Sequence, residues 1–469
     1  MRNTTAAIVR GSASGVSWHK PGRSWAVARV VPLGLLAASV IAAAPPAHAA
    51  FTPSVGGTSS PAAASGVRRD GHHSATALTD ARVLVSGGGE PAQLFDPAEG
   101  TWTPTGPMVV KRSAHTATML DGPACKPASN GTGRSALPSW CHRVLVVGGV
   151  GDAGSLASAE LFDPKTATWA ATGSLALKRF GHTATLLGDG TVLVAGGAEA
   201  GHGPFRAEAE VYDPAKGTWA AAGTMEIGRA YHSATLLDDG TVLVAGGQGA
   251  AHDKSLADAV VYTPATRTWA AVPHLMSARR ALHTAALLPG GKVLVAGGTS
   301  QREGQGPADV LSSAEIYDPT TTSFFPAPPM AERRVSHTAT VLSDGRVYVL
   351  GGAGTADESG VDEAASAEVF DPEASRWLNA APVTAAPRLH TATLLGPRGC
   401  RANCGAILVV SPDSAQLATP PTPAAPHTSP GAGAGHGKSA SPVVPLALVI
   451  AAGVAAGAVA IRRRSAAAA

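Results

Sequence analysis

The sequence predicts an all-β protein built from repeated four-stranded units, followed by one C-terminal transmembrane helix. Residues 179–197 hold two runs of apolar and β-branched residues around an Asp-Gly pair, and then a Gly-Gly doublet. Asp-Gly between two such runs is a strong signal for a tight hairpin. The same order recurs in six complete units at a period of roughly 42–54 residues outside one insertion, which is close to the ~50 residues of one four-stranded blade.

Four landmarks recur at matching offsets in these units. A Gly doublet ends the second strand, because paired glycines permit positive φ and a close approach of neighbouring backbone. An Asp-Pro pair ends the third strand, except in unit four, which has Thr263-Pro264. Each unit opens with a His, and the seventh unit has only this first landmark: His73, His115, His182, His232, His283, His337 and His390. A Trp suited to the wedge between blades follows Asp-Pro, with Phe324 in unit five: Trp102, Trp169, Trp219, Trp269 and Trp377.

The unit R-x-x-H-[TS]-A-T … V-L-V-x-G-G … E-[VIL]-[FY]-D-P-x-x-x-x-W resembles the Kelch repeat, in the form seen in bacterial Kelch and galactose-oxidase-like proteins. The resemblance covers about residues 68–420. It implies a β-propeller of four-stranded antiparallel blades.

The blade count depends on how the two ends of the repeat region meet. The seventh unit has a first strand, a second strand over residues 406–410 and a faded third strand over residues 415–420, but no Trp strand. We predict that residues 51–64 supply the missing fourth strand and close a ring of seven blades, which leaves no free sheet edge at the ends. Six blades with a stray hairpin is the alternative.

The recurring His and Arg residues are interpreted as structural, because a catalytic residue is needed once and a structural residue is needed in every blade. The Arg lies three positions before the His: Arg112, Arg179, Arg229, Arg280 and Arg334. Unit one has Asp70 and unit seven has Pro387 at this position. We predict planar, bidentate pairs with the Glu of strand three: Glu160, Glu210, Glu315 and Glu368.

All four cysteines fall between the first and second strands of a unit. Cys125 and Cys141 bracket the insertion in unit two, and Cys400 and Cys404 lie in the equivalent turn of unit seven. An even number of cysteines in a secreted chain predicts disulfides. Three pairings are possible, and the local pairing is favoured because each pair then closes the base of its own hairpin.

The variable loop after the Gly doublet is the candidate binding region, because long loops on a rigid scaffold commonly carry function. Such loops can equally be solvated segments of no function. The longest loops belong to units five and six, and their charged residues are Arg302, Glu303, Asp309, Asp357, Glu358, Asp362 and Glu363. Strand alternation places these loops on the same face as the Arg-His turns and the cysteine-bounded hairpins on the opposite face.

The two ends of the chain indicate secretion and membrane anchoring. Residues 1–49 carry basic residues, an apolar run and Ala-His-Ala, which is the order of a signal peptide; a retained N-terminal membrane helix is the alternative. Residues 50–420 form the repeat domain, residues 421–442 a Pro/Ala/Gly-rich stalk, and residues 443–461 an apolar span. Three arginines then begin a tail over residues 462–469, which the positive-inside rule keeps cytoplasmic.

These observations predict a cell-membrane protein with an extracellular propeller that binds a protein or a glycan. Outside the leader and the tail, 28 basic residues face 33 acidic residues, and this mildly acidic balance argues against nucleic acid as a partner. The alternatives are a galactose-oxidase-like copper-radical oxidase and a structural envelope component. No Tyr lies near a Cys in the sequence, as the oxidase resemblance would require. We therefore expect no enzymatic activity, no cofactor and no metal.

Overall fold

The computed structural model describes residues 59–62, 69, 72–126, 137–199, 204–249, 254–301, 308–354, 366–383, 389–396 and 402–422. The predicted signal peptide, nearly all of the stalk, the transmembrane span and the cytoplasmic tail lie outside these residues. Within them, no helix has the length and the apolar character needed to span a bilayer.

The described residues form seven four-stranded antiparallel sheets, which are the blades of a propeller. The chain enters through β1 (Ser59–Pro61). Blade one is β2 (His73–Ala77), β3 (Val83–Gly87), β4 (Glu90–Asp96) and β5 (Thr101–Pro104). Blade two is β6 (Thr116–Met119), β7 (Val144–Val147), β10 (Ala159–Asp163) and β11 (Thr168–Thr172), with the small hairpin β8 (Val150–Gly151) and β9 (Gly154–Ser155) inserted. Blade three is β12 (Thr183–Leu186), β13 (Val192–Ala195), β14 (Glu208–Asp213) and β15 (Thr218–Thr224).

The remaining blades follow the same plan. Blade four is β16 (Ser233–Leu236), β17 (Val242–Ala245), β18 (Ala259–Thr263) and β19 (Thr268–Ala271). Blade five is β20 (Thr284–Leu287), β21 (Val293–Ala296), β24 (Ala314–Asp318) and β25 (Ser323–Ala327), with the hairpin β22 (Thr299–Ser300) and β23 (Asp309–Val310). Blade six is β26 (Thr338–Val341), β27 (Val347–Leu350), β28 (Ala367–Asp371) and β29 (Arg376–Ala380). Blade seven contains β30 (Thr391–Leu394), β31 (Ile407–Val410) and β32 (Ala415–Ala418).

The ring closes as the sequence predicts, and the six-bladed alternative is wrong. Strand β1 pairs antiparallel with β32 and becomes the fourth strand of blade seven, with Ser59 opposite Ala418 and Pro61 opposite Gln416. The first strands of neighbouring blades contact one another around a central channel, and β2 of blade one contacts β30 of blade seven. Blades one and seven are therefore neighbours, and the ends of the repeat region meet in one sheet.

Because strand direction alternates within each blade, the propeller has two faces. The loop face carries the Gly doublets, the variable loops and the Arg-x-x-His turns. The turn face carries the Asp-Gly hairpins and the Asp-Pro turns. These two names are used below.

The core lies between the blades. Every residue of each second strand is buried, as in the repeated V-L-V-A, because both faces of this strand are covered by adjacent blades. In blades one to six the third strand places an aromatic ring 4.9 to 5.1 Å from the ring of the fourth strand beside it. The Trp219 indole N–H then donates to the Gly173 carbonyl of the preceding blade at 2.7 Å. The Trp thus packs within its own blade and hydrogen-bonds to the blade before it.

The insertion in blade two is closed at its base by cysteines. Cys125, in a 3₁₀ turn at Pro123–Cys125, and Cys141 have Sγ atoms 2.11 Å apart and Cα atoms 5.3 Å apart. Their side chains are buried on the turn face. Cys400 lies outside the described residues, so its pairing with Cys404 stays a prediction.

Candidate functional site

The seven repeated histidines form a closed ring around the central channel. Each Nε2 atom is hydrogen-bonded to the Ser or Thr hydroxyl that follows the His of the preceding blade. Six of these distances are 2.9 Å, and the bond that closes the ring is 3.3 Å. The pairs are Ser74–His115, Thr116–His182, Thr183–His232, Ser233–His283, Thr284–His337, Thr338–His390 and Thr391–His73. Every blade is therefore joined to the next by one side-chain bond of the same kind.

Burial favours the neutral form in five of these imidazoles. Loss of solvation, followed by the charge of the nearby Arg, lowers the pKa of His115, His232 and His337 to about 3. The same causes hold the pKa of His182 and His283 well below the usual value. A buried imidazole with so low a pKa is too weak a base to activate the hydroxyl beside it at neutral pH. The His–hydroxyl pairs are built to join blades.

Only glycine fits at the two doublet positions, because each lies close to the backbone and to a His of the ring, one in the next blade and one in its own blade. A Cβ atom on Gly196 would lie 2.7 Å from the His232 ring of the next blade. A Cβ on Gly197 would lie 2.8 Å from the Phe180 carbonyl oxygen and 2.9 Å from Cβ of His182, in its own blade. Both glycines also have positive φ, +64° and +96°. The doublet therefore fixes how closely successive inner strands approach.

The repeated Arg residues are buried on the loop face, where each bonds to a backbone carbonyl and to an acidic side chain of its own blade. We call them the Arg clamps. In blade three, Arg179 is fully buried, and its guanidinium donates to the Gly196 carbonyl at 2.7 Å and to Glu210 at 2.8 Å. The second carboxylate oxygen of Glu210 accepts the backbone N–H of Ala176 at 2.8 Å. In blades two, three and five the contact is a single N–O bond instead of the predicted bidentate pair, because the other carboxylate oxygen accepts backbone N–H. In blade six, Nε and Nη2 of Arg334 both donate to one oxygen of Glu368. The equivalent pairs are Arg112–Glu160, Arg280–Glu315 and Arg334–Glu368.

Two blades depart from this arrangement in ways that the sequence pattern missed. Blade four has Val260 where blades two, three, five and six have Glu, and Arg229 bonds instead to Asp258, two residues earlier, at 2.5 Å. In blade one the clamp is Arg69, not the position of Asp70: Arg69 donates to the Gly87 carbonyl at 2.7 Å and to Gln93 at 3.2 Å. In blade one the Arg lies four residues before the His, and in the other blades three. Counting three residues back from His73 therefore leads to Asp70.

Backbone bulges line the channel opening on the loop face, and hydrogen bonds link those of blades three to six. The residue before each His bulges from the inner strand with φ between +51° and +63° in Ala114, Gly181, Tyr231, Leu282, Ser336 and Leu389. The Tyr231 N–H donates to the Gly181 carbonyl at 2.9 Å, and the Leu282 N–H donates to the Tyr231 carbonyl at 3.0 Å. Positive φ is uncommon for residues other than Gly. These bulges hold a set of unlike side chains at one level around the opening.

Phe180 and Tyr231, which stand at positions where the other blades carry no Phe, Tyr or Trp, contact each other beside this opening. The rings of Phe180 and Tyr231 lie edge to face, with centroids 6.3 Å apart. Ala198 forms β-bridges to both Phe180 and Phe205. Gly181 leaves room for the Tyr231 ring, since a Cβ there would lie 3.0 Å from it. We call Phe180, Phe205 and Tyr231 the aromatic corner. Sequence reasoning missed it, although variation at the position before the repeated His is its signal.

Half-buried polar side chains lie on the loop face in blades four and six. Burial raises the pKa of the Tyr231 phenol, so the hydroxyl remains a neutral donor. Gln248, whose backbone bridges Ala230, and Ser336 are also half-buried at the opening. The corner can thus offer an aromatic surface together with hydrogen-bonding groups.

The predicted binding loops are described only in part. Asp309 is exposed on the loop face, in the hairpin β22–β23. Arg302, Glu303, Asp357, Glu358, Asp362 and Glu363 lie outside the described residues. The loop of blade four contacts that of blade five, where the Ser255 N–H donates to the Gln301 carbonyl at 3.0 Å.

No metal centre is found among the residues that the structure describes, since no three His, Cys, Asp or Glu side chains come together as ligands. Four of the five tyrosines are buried within the blades: Tyr212, Tyr262, Tyr317 and Tyr348. Tyr231 is the one at the channel opening.

Comparison with known proteins points to the same repeat. Residues 133–352 match the family described as the KLHDC2/KLHL20/DRC7 Kelch-repeats domain. The chain is similar to Kelch-like protein 38 of Rattus norvegicus, with 30% identity over 92 residues, and to that of Homo sapiens, with 29% identity over 92 residues. Each match covers 20% of this chain and 14% of the relative. The chain thus contains a Kelch-repeat domain, folded as a seven-bladed β-propeller.

Proposed function

We propose that this chain is a protein-interaction module that binds its partner on the loop face, around the aromatic corner. The observation that carries the proposal is the contrast between repeated and unrepeated residues. The His ring, the Arg clamps and the Gly doublets recur from blade to blade and join the ring together. The residues before each His vary between blades, with only Leu occurring twice, and the rigid ring holds them in fixed positions around the opening.

The aromatic corner has the chemistry of an interface centre. Aromatic side chains supply large contact area at low cost in conformational entropy, and they are enriched at the energetic centres of protein interfaces. Tyr231 combines a ring with a donor hydroxyl. Glu199 and Arg206, which form an ion pair at the edge of this region, fit the polar rim that surrounds such a centre.

The sequence of the two ends supports a location outside the cell, in which the propeller is secreted and held by the apolar span of residues 443–461. This location is part of the proposal. Protease treatment of intact cells tests it: we expect a tag placed before residue 59 to be removed and a tag after residue 469 to be protected. Protection of both tags would contradict an extracellular propeller.

Site-specific crosslinking tests the binding surface. A photoreactive amino acid placed at Tyr231 should capture a discrete partner, whereas one at Lys216, an exposed position on the turn face, should not. The purified partner should then bind the Tyr231→Asn variant at least tenfold more weakly, because Asn tolerates positive φ but lacks the ring. The Lys216→Ala variant is the matched control. Equal binding by Tyr231→Asn and the native chain would overturn the proposed surface.

A further inference from the structure

An open groove runs along the outer edge of blade three, beside strand β15. Its volume is about 340 Å³. One wall is the segment that leads from blade two into blade three, with Gly173, Ser174 and Ala176, and the other wall is residues 218–221 of β15. The half-buried indole of Trp219 lies between the two walls. We call this space the Trp groove.

Hydrogen bonds hold the two walls of the Trp groove in place. The Gly173 N–H donates to the Gly217 carbonyl at 3.1 Å, and the Gly173 carbonyl accepts the indole N–H of Trp219 at 2.7 Å. Further along the same wall, the Ala176 N–H donates to Glu210 at 2.8 Å. The groove is therefore formed before any ligand arrives, which lowers the entropic cost of binding.

The Trp groove is open because two side chains are small in blade three. Ser174 lies five residues before the Arg clamp of this blade, and Ala176 lies three residues before it. Blades two, four, five and six have a larger side chain at one or both of these positions. Their residues are Pro107 and Val109, Thr224 and Glu226, Leu275 and Ser277, and Pro329 and Ala331.

The Trp groove offers an aromatic ring and hydroxyl groups but no available charge. Of the described residues that line it, only Glu210 is ionisable, and its two oxygens are bonded to Arg179 and to the Ala176 N–H. The side chains of Ser174 and Thr218 are exposed, and neither hydroxyl has a hydrogen-bond partner in the part of the chain that the structure describes. Because the indole N–H is already used, Trp219 presents only its apolar ring surface.

We propose that the Trp groove binds a neutral pyranose sugar, with one face of the sugar ring on the Trp219 indole and its hydroxyls at Ser174 and Thr218. The face of an aromatic ring carries partial negative charge and attracts C–H groups. A charged ligand would lose hydration without gaining an ionic partner. A cavity of about 150 Å³ accepts benzene, so 340 Å³ has room for one pyranose ring with its hydroxyls.

This sugar site is separate from the aromatic corner and does not depend on the proposed protein partner. Saturation-transfer NMR of the full chain with methyl β-D-glucopyranoside tests it. We expect a dissociation constant on the order of 1 mM for so small a ligand. Transfer should be strongest at H1, H3 and H5, which lie on one face of this sugar. Cyclohexanol, which keeps the ring size but has one hydroxyl, should bind about fivefold more weakly.

Variants that copy other blades locate the site. Ala176→Val introduces the residue of blade two, and Ser174→Pro introduces the residue of blades two and six. Both variants should fold, because these residues are accommodated at the same positions elsewhere in the ring, and both should lose binding of the glucoside. Ala331→Val makes the matched change in blade six and should bind as the native chain does.

Three results would overturn the proposal. These are undiminished binding by folded Ala176→Val and Ser174→Pro variants, equal affinity for cyclohexanol and the glucoside, and stronger binding of a tetraproline peptide than of the glucoside, which would assign the groove to a protein partner. If neither variant folds, Thr218→Val at the exposed position decides. It should weaken binding of the glucoside about fivefold through the lost hydroxyl, and an unchanged affinity would contradict the assigned site.

Discussion

At the scale of single residues, the buried ion pairs of the loop face have opposing energetic terms. Moving a guanidinium and a carboxylate out of water is costly, and their attraction offsets this cost only when the remaining polar atoms are also bonded. Burial lowers the pKa of Arg112, Arg179 and Arg280, and the facing Glu raises it. Removing one partner therefore leaves an uncompensated buried charge.

Replacing Glu210 by Lys should lower the free energy of unfolding by about 3–5 kcal/mol, because two buried positive charges would then face each other. Urea denaturation followed by circular dichroism gives this value. Lys216→Ala breaks the exposed pair with Asp213 and should change stability by less than ~1 kcal/mol. An unchanged unfolding midpoint for Glu210→Lys would show that the clamp does not stabilise the fold.

Two equivalent tyrosines provide a matched test of hydroxyl burial. The Tyr212 hydroxyl is bonded to Thr172 Oγ1 of the preceding blade at 2.7 Å. The Tyr262 hydroxyl is buried and has no hydrogen-bond partner among the described residues, because Ala222 stands where Thr172 does. Tyr262→Phe should therefore raise the free energy of unfolding by about 1 kcal/mol, and Tyr212→Phe should lower it by about 1 kcal/mol. Equal effects of the two substitutions in urea denaturation would contradict this assignment.

At the scale of elements, the Gly doublet sets the spacing of inner strands. Gly197→Ala should cost more than ~2 kcal/mol, because the new Cβ would meet the Phe180 carbonyl and the His182 side chain in addition to the strain of positive φ. Gly89 also has positive φ, +78°, but a Cβ there meets nothing within 4 Å. Gly89→Ala should thus cost only about 1 kcal/mol, from backbone strain alone. Thermal unfolding of both variants separates the clash from the strain.

The elements of the fold could be predicted because each repeated residue type satisfies a steric or hydrogen-bonding requirement that recurs from blade to blade. The fourth strand of blade seven was predictable for the same reason, since a unit without its outer strand must take one from elsewhere. Arg69 was missed because it lies four residues before His73, one residue further than the repeated Arg-to-His spacing. The aromatic corner was missed because its aromatic residues do not recur from blade to blade, and Tyr231 approaches Phe180 only after the blades are assembled.

At the scale of the whole molecule, the ring of neutral histidines makes the propeller sensitive to acid. The folded-state pKa of His115, His232 and His337 is lowered to about 3, below the usual ~6.5 of an unfolded chain. These groups therefore contribute full stability above pH ~6.5 and lose it as the pH falls towards 3, at about 1.4 kcal/mol per pH unit for each His.

The urea midpoint should fall steeply between pH 7 and pH 4. His232→Gln should reduce the slope of the unfolding free energy against pH by the amount that corresponds to about one bound proton. Comparing the variant with the native chain cancels the contribution of the carboxylates. A slope that His232→Gln leaves unchanged would show that this His is protonated in the folded state.

The way in which the ring closes also determines how the molecule responds to mechanical load. Ser59 is paired with Ala418 at one end of the β1–β32 ladder, and Pro61 with Gln416 at the other. A force applied through Ser59 and Ala418 would open these pairs one after another, as a zipper opens, instead of shearing them all at once. Tension on the two ends would thus detach a three-residue strand while blades one to six stay outside the line of force, so the propeller would yield first, and at low force, at its own seam.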